Sequence, residues 1–217
     1  MLELTLPRAK GRPTRILCLG AHCDDIEIGC GGTLLKLLAR GAWDVTWAVF
    51  STDEARAREL RASAQRFLRG ARRTQLLAYQ FTDSFFPGEY TAIKRTFATL
   101  RRLPEPDLVF THERGDQHQD HRLLAELTWN AFRDHVLFEY EIPKYEGGLT
   151  TPNAFVQLSG AQAAAKVRTL LACYPSQRRK PWFRAETFEA LMRLRGVEAG
   201  PGSGWAEGFH AGKFNVS

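Results

Sequence analysis

The sequence predicts an α/β protein in which a mostly parallel sheet lies between two layers of helices. Short apolar runs, which favour buried strands, alternate with longer segments whose apolar residues recur at helical spacing. Glycine or proline ends several of these segments. Since this alternation is typical of parallel strands joined by helical crossovers, we expect a Rossmann-like three-layer α/β/α fold, with the C-terminal part forming the rim of a pocket.

The first half of the chain shows this alternation most clearly. The apolar run at 15–19 is closed by Gly20, and the glycine-rich stretch 29–32 predicts a tight, closely packed turn into a helix at 33–40. The next expected elements are a strand, a helix and a strand, at 45–50, 54–68 and 75–78.

The second half begins with the same pattern, which then weakens. A helix at 90–103 stops before Pro104. The elements expected after it are two strands at 108–111 and 136–141 on either side of a helix at 121–135, and then a short strand at 155–158 with helices at 161–172 and 183–195. We expect a single domain over 1–217, with an N-terminal extension at 1–14 and a C-terminal tail at 200–217.

Composition narrows the class of protein. With 217 residues, of which 44% are hydrophobic and 25% charged, the chain can bury one substantial core. Its net charge of +6 comes from arginines spread along the predicted helices. They fit a solvated surface or a basic rim that attracts an anionic substrate. We therefore expect a small-molecule substrate and no nucleic-acid partner, and we leave open whether the protein forms a homo-oligomer.

Cysteine usage and hydropathy indicate where the protein works. The four cysteines form no Cys-x-x-Cys pair, and Cys18 and Cys30 fall in segments expected to be buried, which favours a reducing compartment. No apolar run has the length of a signal-peptide core or of a membrane span. These observations predict a cytoplasmic protein.

Histidines and carboxylates follow two of the predicted strands. His22, Asp24 and Asp25 come after the first strand, and His118 and His121 come after the strand at 108–111. In open α/β sheets, ligands bind at these strand ends. Two imidazoles and one carboxylate with an open coordination position suit a catalytic Zn²⁺ that activates water, whereas a structural zinc site is closed by four protein ligands. The sequence therefore predicts a hydrolase that binds metal through His22, Asp25 and His121.

The remaining polar residues of these segments suggest catalytic roles. Asp24 would stay free to take a proton from water. A protonated His118 could stabilise an oxyanion and then protonate a departing amine, while Asp120 would hold one of the imidazoles in its tautomer. His112 is expected to line the pocket or bond to the backbone. No metal role is expected for His112, His135 or His210.

The two segments together resemble the PIG-L or LmbE-like family of zinc-dependent N-deacetylases. The resemblance lies in Ala21-His-Cys-Asp-Asp25 with Glu27 and the 29–33 stretch, and in Asp116-x-His-x-Asp-His-Arg122. Similar residues continue in the same order as far as Phe209.

This resemblance implies a function and a set of roles. The function is hydrolytic removal of an acetyl group from an N-acetylglucosamine-type sugar or a related N-acyl compound, with Zn²⁺ or another divalent metal such as Fe²⁺. The roles it implies are metal binding by His22, Asp25 and His121, base catalysis by Asp24, transition-state stabilisation or acid catalysis by His118, and contact with a sugar hydroxyl by Arg56.

The sequence leaves open the role of Cys23 and an alternative function. Cys23 stands where the family more often has proline or alanine, and it could be a small core residue, a soft metal ligand or an oxidisable thiol. The alternative function is a noncatalytic metal- or sugar-binding protein of the same fold. A dinucleotide-dependent enzyme is disfavoured, because the Gly-x-Gly-x-x-Gly fingerprint is missing.

Overall fold

A computed structural model of the protein describes residues 3, 5, 9 and 11–213. The strands are β1 (Thr14–Gly20), β2 (Trp43–Val49), β3 (Arg73–Ala78), β4 (Leu108–His112), β5 (Val136–Tyr140), β6 (Ala154–Gln157) and β7 (Ala206–Ala211). The helices are α1 (Asp25–Leu38), α2 (Glu54–Phe67), α3 (Tyr90–Leu100), α4 (Gln119–Phe132), α5 (Gly160–Cys173) and α6 (Ala185–Glu198). No helix within the described ranges is both long and apolar enough to cross a membrane. Much of the predicted N-terminal extension at 1–14 lies outside the described residues.

The strands form one sheet in the order β3-β2-β1-β4-β5-β7-β6. The first five strands in this order are parallel to their neighbours, while β7 is antiparallel to both β5 and β6. The predicted α/β fold with a mostly parallel sheet is therefore confirmed.

Strand β7 lies within the segment 200–217 that the sequence predicts as a C-terminal tail, and it is inserted between β5 and β6. The sequence Ala-Glu-Gly-Phe-His-Ala has no apolar alternation that would have revealed a strand. Its Glu207 is buried through pairing with other elements, which the local pattern could not show. Residues 214–217 of that tail are outside the described part of the chain.

The alternation of side chains along β1 creates the two helical layers. Ile16 and Cys18 belong to one apolar cluster, in which residues of α1, α2 and α5 also pack. Leu17 and Leu19 belong to a second cluster, which includes residues of α3 and α4. Because neighbouring side chains of a strand point to opposite faces, one central strand serves both cores.

Helix α1 begins at Asp25, eight positions before the predicted start at 33. The prediction of a glycine-rich turn at 29–32 was therefore wrong. The glycines lie inside the helix, which is kinked at Cys30 (φ −139°, ψ 15°). The expectation of close packing holds at Gly29, where a Cβ atom would overlap the Tyr140 ring. Helix α1 can therefore lie directly against β5, and its N-terminus reaches the end of β1.

A buried ion pair supplies hydrogen-bond partners to backbone groups at the kink in α1. In a regular helix the Gly32 N–H would donate to the Ile28 carbonyl. Here Glu207 of β7 accepts from the N–H groups of Gly32 and Thr33 at 2.8 and 2.6 Å, and Lys166 of α5 donates to Ile28 O at 2.6 Å. Lys166 and Glu207 also pair with each other at 2.5 Å. The C-terminal elements thus supply partners that the helix backbone lacks.

We expect Lys166→Met to destabilise the protein by about 3–5 kcal/mol, because it leaves the Glu207 carboxylate buried without its cation. The double variant Lys166→Met/Glu207→Gln should recover part of this loss, since it removes the orphaned charge. Urea unfolding of the three proteins measures both effects. A single variant within about 1 kcal/mol of the wild type would show that the pair does not brace α1.

Candidate metal centre

The candidate site lies where β1 and β4 end side by side. These strands are parallel neighbours, and their connections run in opposite directions, from β1 towards β2 and from β4 towards β5. Such a topological switch point opens a crevice at the carboxyl edge of the sheet. His22 and Asp25 lie between β1 and the first turn of α1, and His118 and His121 lie at the start of α4.

Three side-chain atoms from these two connections converge. His22 Nδ1 lies 3.2 Å from His121 Nε2 and 3.4 Å from Asp25 Oδ2, and the remaining separation, from His121 Nε2 to Asp25 Oδ2, is 3.6 Å. All three residues are largely buried, with the His22 side chain 14% exposed. The structure therefore brings together the three residues that the sequence predicted as ligands.

Neighbouring carboxylates determine which nitrogens of the two imidazoles carry hydrogen. His121 Nδ1 lies 3.0 Å from Asp116 Oδ2, so it donates there and leaves the Nε2 lone pair facing the cluster. His22 Nε2 lies 3.3 Å from Asp120 and 3.1 Å from Asp83, so in the neutral ring the lone pair is on Nδ1. When both rings are neutral, as metal ligands are, these two nitrogens and the Asp25 carboxylate point three lone pairs at one another. A cation at their centre would satisfy all three.

The spacing and chemistry of this set fit a divalent transition metal. Metal bonds of about 2.0–2.1 Å in tetrahedral geometry place ligand atoms roughly 3.3 Å apart. The observed separations of 3.2, 3.4 and 3.6 Å bracket that value. Imidazole nitrogen and carboxylate oxygen suit Zn²⁺ and Fe²⁺.

The electrostatics of the three residues agree with metal binding. Burial, together with the neighbouring His112, lowers the pKa of His121 to about 3, so its imidazole is neutral, as a metal ligand must be. Although burial alone would raise it, the imidazoles of His121, His112 and His22 hold the pKa of Asp25 well below its usual value. Burial opposes charge on His22 as well, yet Asp25 and the other carboxylates raise its pKa well above the usual value. The carboxylates that favour a positive charge on His22 would also favour a metal ion beside it.

His112 lies beside this cluster, and its Nε2 is within metal-binding reach of Asp25 and His121. However, His112 Nε2 accepts a hydrogen bond from the Ala21 N–H at 3.0 Å, which occupies its lone pair. Its ring stacks on His121, with the ring centroids 3.9 Å apart. The backbone bond agrees with the expectation for a strand-end histidine that lines the pocket.

Asp24 occupies the N-cap position of α1, but its buried side chain makes no capping hydrogen bond and lies next to the three ligands. Burial raises the pKa of Asp24, while the positive charge of Arg56 acts in the opposite direction. Arg56 Nη2 donates to Asp24 Oδ1 at 2.7 Å. The family resemblance implies contact between Arg56 and a sugar hydroxyl, whereas in the structure Arg56 binds the carboxylate of Asp24.

His118 is the N-cap of α4. Its ring stacks on that of His121, with the centroids 4.6 Å apart, and meets that of His22 edge-on at 5.0 Å. Its Nδ1 accepts from the Asp120 N–H at 3.2 Å, so Nε2 carries the hydrogen of the neutral ring. Burial and the nearby charge of His22 lower the pKa of His118. A lowered pKa favours the neutral ring, in which Nε2–H is a hydrogen-bond donor, while the protonated His118 stays a prediction.

Asp120 is fully buried, and its carboxylate lies beside His22 rather than beside the ring of His118. The sequence predicts that Asp120 holds His118 or His121, whereas in the structure Asp120 lies beside His22 and Asp116 lies beside His121. Sequence reasoning missed three supporting residues: Asp83, Lys144 and, as a partner of His121, Asp116. Lys144 Nζ lies 2.7 Å from Asp116 Oδ2. Only Asp116 had a signal, since it stands in the second motif.

Cys23 is a buried core residue. Its side chain is 1% exposed, and Sγ donates to the Ser51 carbonyl at 3.5 Å. Burial raises the pKa of the thiol to about 11, so the thiolate that binds metals is disfavoured. Among the alternatives left open by the sequence, the structure favours the small hydrophobe.

Comparison with known proteins identifies the family. Residues 17–132 match the PIG-L family, described as GlcNAc-PI de-N-acetylase. The match spans more than half of the chain and includes both motifs, so the chain belongs to the PIG-L family.

Solved structures with the same fold include proteins of different described activity. The conserved protein TT1542 from Thermus thermophilus is 23% identical, with a TM-score of 0.69 over 93% of this chain and 96% of that one. The N,N'-diacetylchitobiose deacetylase from Pyrococcus horikoshii is 20% identical, with a TM-score of 0.64 over 91% and 83%. GalB, the 4-carboxy-2-hydroxymuconate hydratase from Pseudomonas putida, is 18% identical, with a TM-score of 0.73 over 94% and 98%. At these identities the likeness establishes the fold.

We expect Cys23→Ala to leave metal content and turnover unchanged and to cost about 1 kcal/mol of stability, because it removes a small buried group. Cys173→Ala, at a buried cysteine on α5, is the matched control. Zinc analysis and thermal unfolding of both variants make the comparison. Loss of metal in Cys23→Ala alone would identify Cys23 as a ligand.

Proposed function

We propose that this protein is a metal-dependent N-deacetylase that releases acetate from an N-acetylated amino sugar or a related N-acyl compound. The observation that carries the proposal is the convergence of His22 Nδ1, Asp25 Oδ2 and His121 Nε2 beside the separate carboxylate of Asp24. Membership in a family described as de-N-acetylases supports the reaction type. A cytoplasmic location and a single domain over the whole chain stay predictions.

The three converging residues would hold the metal, with Zn²⁺ as the proposed ion and Fe²⁺ as the alternative. When bound, such an ion supplies Lewis acidity, which polarises an amide carbonyl and makes water more acidic. The protein holds both imidazoles in the required tautomer through Asp116 and Asp120.

Asp24 is the proposed general base. Its buried carboxylate accepts the proton of the attacking water as the oxygen adds to the amide carbon. Arg56 holds one carboxylate oxygen, which fixes the direction of the other. The C–N bond then breaks to give acetate and an amine.

His118 is the proposed oxyanion donor. In the neutral ring the Nε2–H is free to donate because Nδ1 is occupied by the Asp120 N–H. Proton return to the departing nitrogen is open to two groups, Asp24 after it has taken the proton from water and His118 through Nε2.

The purified protein should contain a divalent metal and release acetate from N-acetylglucosamine or one of its phosphorylated or glycosidic derivatives. Removal of the metal by a chelator should abolish release, and zinc should restore it, because the ligand set binds the ion reversibly. Metal content and enzymatic acetate determination give the two readouts. Bound metal with no acetate release from the panel would contradict an N-acetylglucosamine-type substrate and favour another N-acyl substrate or a noncatalytic binding protein.

Asp24→Asn should keep the metal and lose about 10²–10⁴-fold in kcat, since the amide cannot accept the proton. His121→Ala should lose metal as well as turnover, because it removes a ligand. Metal analysis and steady-state kinetics separate these cases. Turnover near the wild-type rate in Asp24→Asn would remove Asp24 from the role of base.

Arg56→Met should lower kcat by about tenfold with little change in KM, because it frees the Asp24 carboxylate without removing a substrate contact. Arg58→Met, an exposed arginine on the same helix, is the control. A rise in KM at unchanged kcat would instead support the sugar-hydroxyl role that the family resemblance implies.

A further inference from the structure

We propose that Tyr174 is a positioning residue for Asp24, and that it acts by holding the peptide group between Cys23 and Asp24 and by supporting Arg56. Tyr174 follows the last residue of α5, and its side chain is fully buried. This role rests on the proposed function, in which Asp24 is the general base.

The hydroxyl of Tyr174 holds the backbone that carries Asp24. Its oxygen lies 2.5 Å from the Cys23 carbonyl oxygen, to which it donates a hydrogen bond. The first carbonyl in the hydrogen-bond ladder of α1 is that of Asp24, which accepts from the Ile28 N–H at 3.1 Å, so the Cys23 carbonyl needs a partner outside the helix. Because the Cys23 carbonyl and the Asp24 nitrogen belong to one planar peptide group, the bond to Tyr174 fixes the orientation of the Asp24 backbone.

The ring of Tyr174 supports Arg56. The guanidinium carbon of Arg56 lies 5.8 Å from the ring centroid, which is within the range of a cation–π interaction. On its other side the guanidinium donates through Nη2 to Asp24 Oδ1 at 2.7 Å. Asp24 makes no capping hydrogen bond within α1, so its carboxylate is oriented from outside the helix. Tyr174 therefore acts on Asp24 by two routes, through the backbone and through the arginine.

Glu27 gives the hydroxyl of Tyr174 a single direction. Glu27 Oε1 lies 2.6 Å from the Tyr174 oxygen, so this oxygen has two short hydrogen-bond contacts. A phenol has one hydrogen, which cannot serve both. Since the Cys23 carbonyl can only accept, the phenol hydrogen points there and the carboxyl of Glu27 supplies the hydrogen of the second bond. Both side chains are fully buried, so this chain of hydrogen bonds is shielded from solvent.

The segment after Tyr174 is fastened to α2, the helix that carries Arg56. Glu59 of α2 accepts from the Ser176 N–H at 2.9 Å and from the Ser176 hydroxyl at 2.6 Å. Glu59 Oε2 also lies 3.7 Å from Arg56 Nε. These contacts keep the ring of Tyr174 and the guanidinium of Arg56 together, so the hydroxyl can be removed without releasing the ring.

Tyr174→Phe removes the hydroxyl and keeps the ring beside Arg56. The variant should keep its metal and its KM and lose about 10–100-fold in kcat, because misplacing a catalytic group by about 1 Å costs up to about 10²-fold. In the Asp24→Asn background the same change should lower kcat by less than about twofold, since no base is left to position. Metal analysis and steady-state kinetics of the four proteins make this comparison.

Tyr140→Phe is the matched control for the loss of a buried tyrosine hydroxyl. Tyr140 is also fully buried, and its hydroxyl donates to the Leu19 carbonyl at 2.6 Å, which belongs to a peptide group remote from that of Asp24. Its effect on kcat, whatever its size, should be the same with and without Asp24. A dependence on Asp24 equal to that of Tyr174→Phe would show that the coupling is not specific to Tyr174, and the inference would be wrong.

Crystal structures of the wild type and of Tyr174→Phe give a readout that does not need activity. The carboxylate of Asp24 should move from its wild-type position in the variant. An unmoved carboxylate would overturn the inference, as would a kcat near that of the wild type, or an equal loss of kcat in the two backgrounds. A fall in thermal stability alone, with unchanged kcat, would leave Tyr174 a structural residue only.

Failure of the proposed function looks different. Turnover near the wild-type rate in Asp24→Asn would remove Asp24 as the base, and a wild type that releases no acetate would contradict the deacetylase. In either case the two crystal structures decide whether Tyr174 positions the Asp24 carboxylate.

Discussion

The architecture depends on one constraint: two imidazole nitrogens and one carboxylate oxygen face one another within 3.6 Å. Acceptor atoms so close repel unless a positive charge lies among them, either a proton on His22 or a metal ion. Bringing them together requires β1 and β4 to be neighbours that end at the same edge, and it requires α1 and α4 to begin there. Sheet order and helix start are therefore both parts of the metal centre.

The supports of this constraint come from distant parts of the chain. Asp116 and Asp120 fix the two imidazoles, and Lys144 in the loop after β5 holds Asp116. The kinked α1, which carries Asp25, takes hydrogen-bond partners from α5 and β7. The C-terminal elements thus act on the site through the backbone of α1, although they supply none of the three proposed ligands.

Features that depend on residues close together in the sequence could be predicted, whereas features that depend on contacts between distant elements could not. The ligand candidates His22, Asp25 and His121 could be found because motif spacing and the end of an apolar run are local features. Helix α1 was placed too late because glycine normally disfavours helix interiors, whereas here Gly29 is needed for contact with Tyr140. Strand β7 was missed, because its Glu207 is buried only through partners on other elements. The approach of Asp83 to His22 depends on a loop that no local pattern describes.

The central claim is most directly tested by zinc-edge anomalous diffraction from crystals of the protein loaded with one equivalent of zinc. We expect one strong peak within about 2.0–2.2 Å of His22 Nδ1, Asp25 Oδ2 and His121 Nε2. A peak bound to Cys23, or one that lies away from these three atoms, would contradict it.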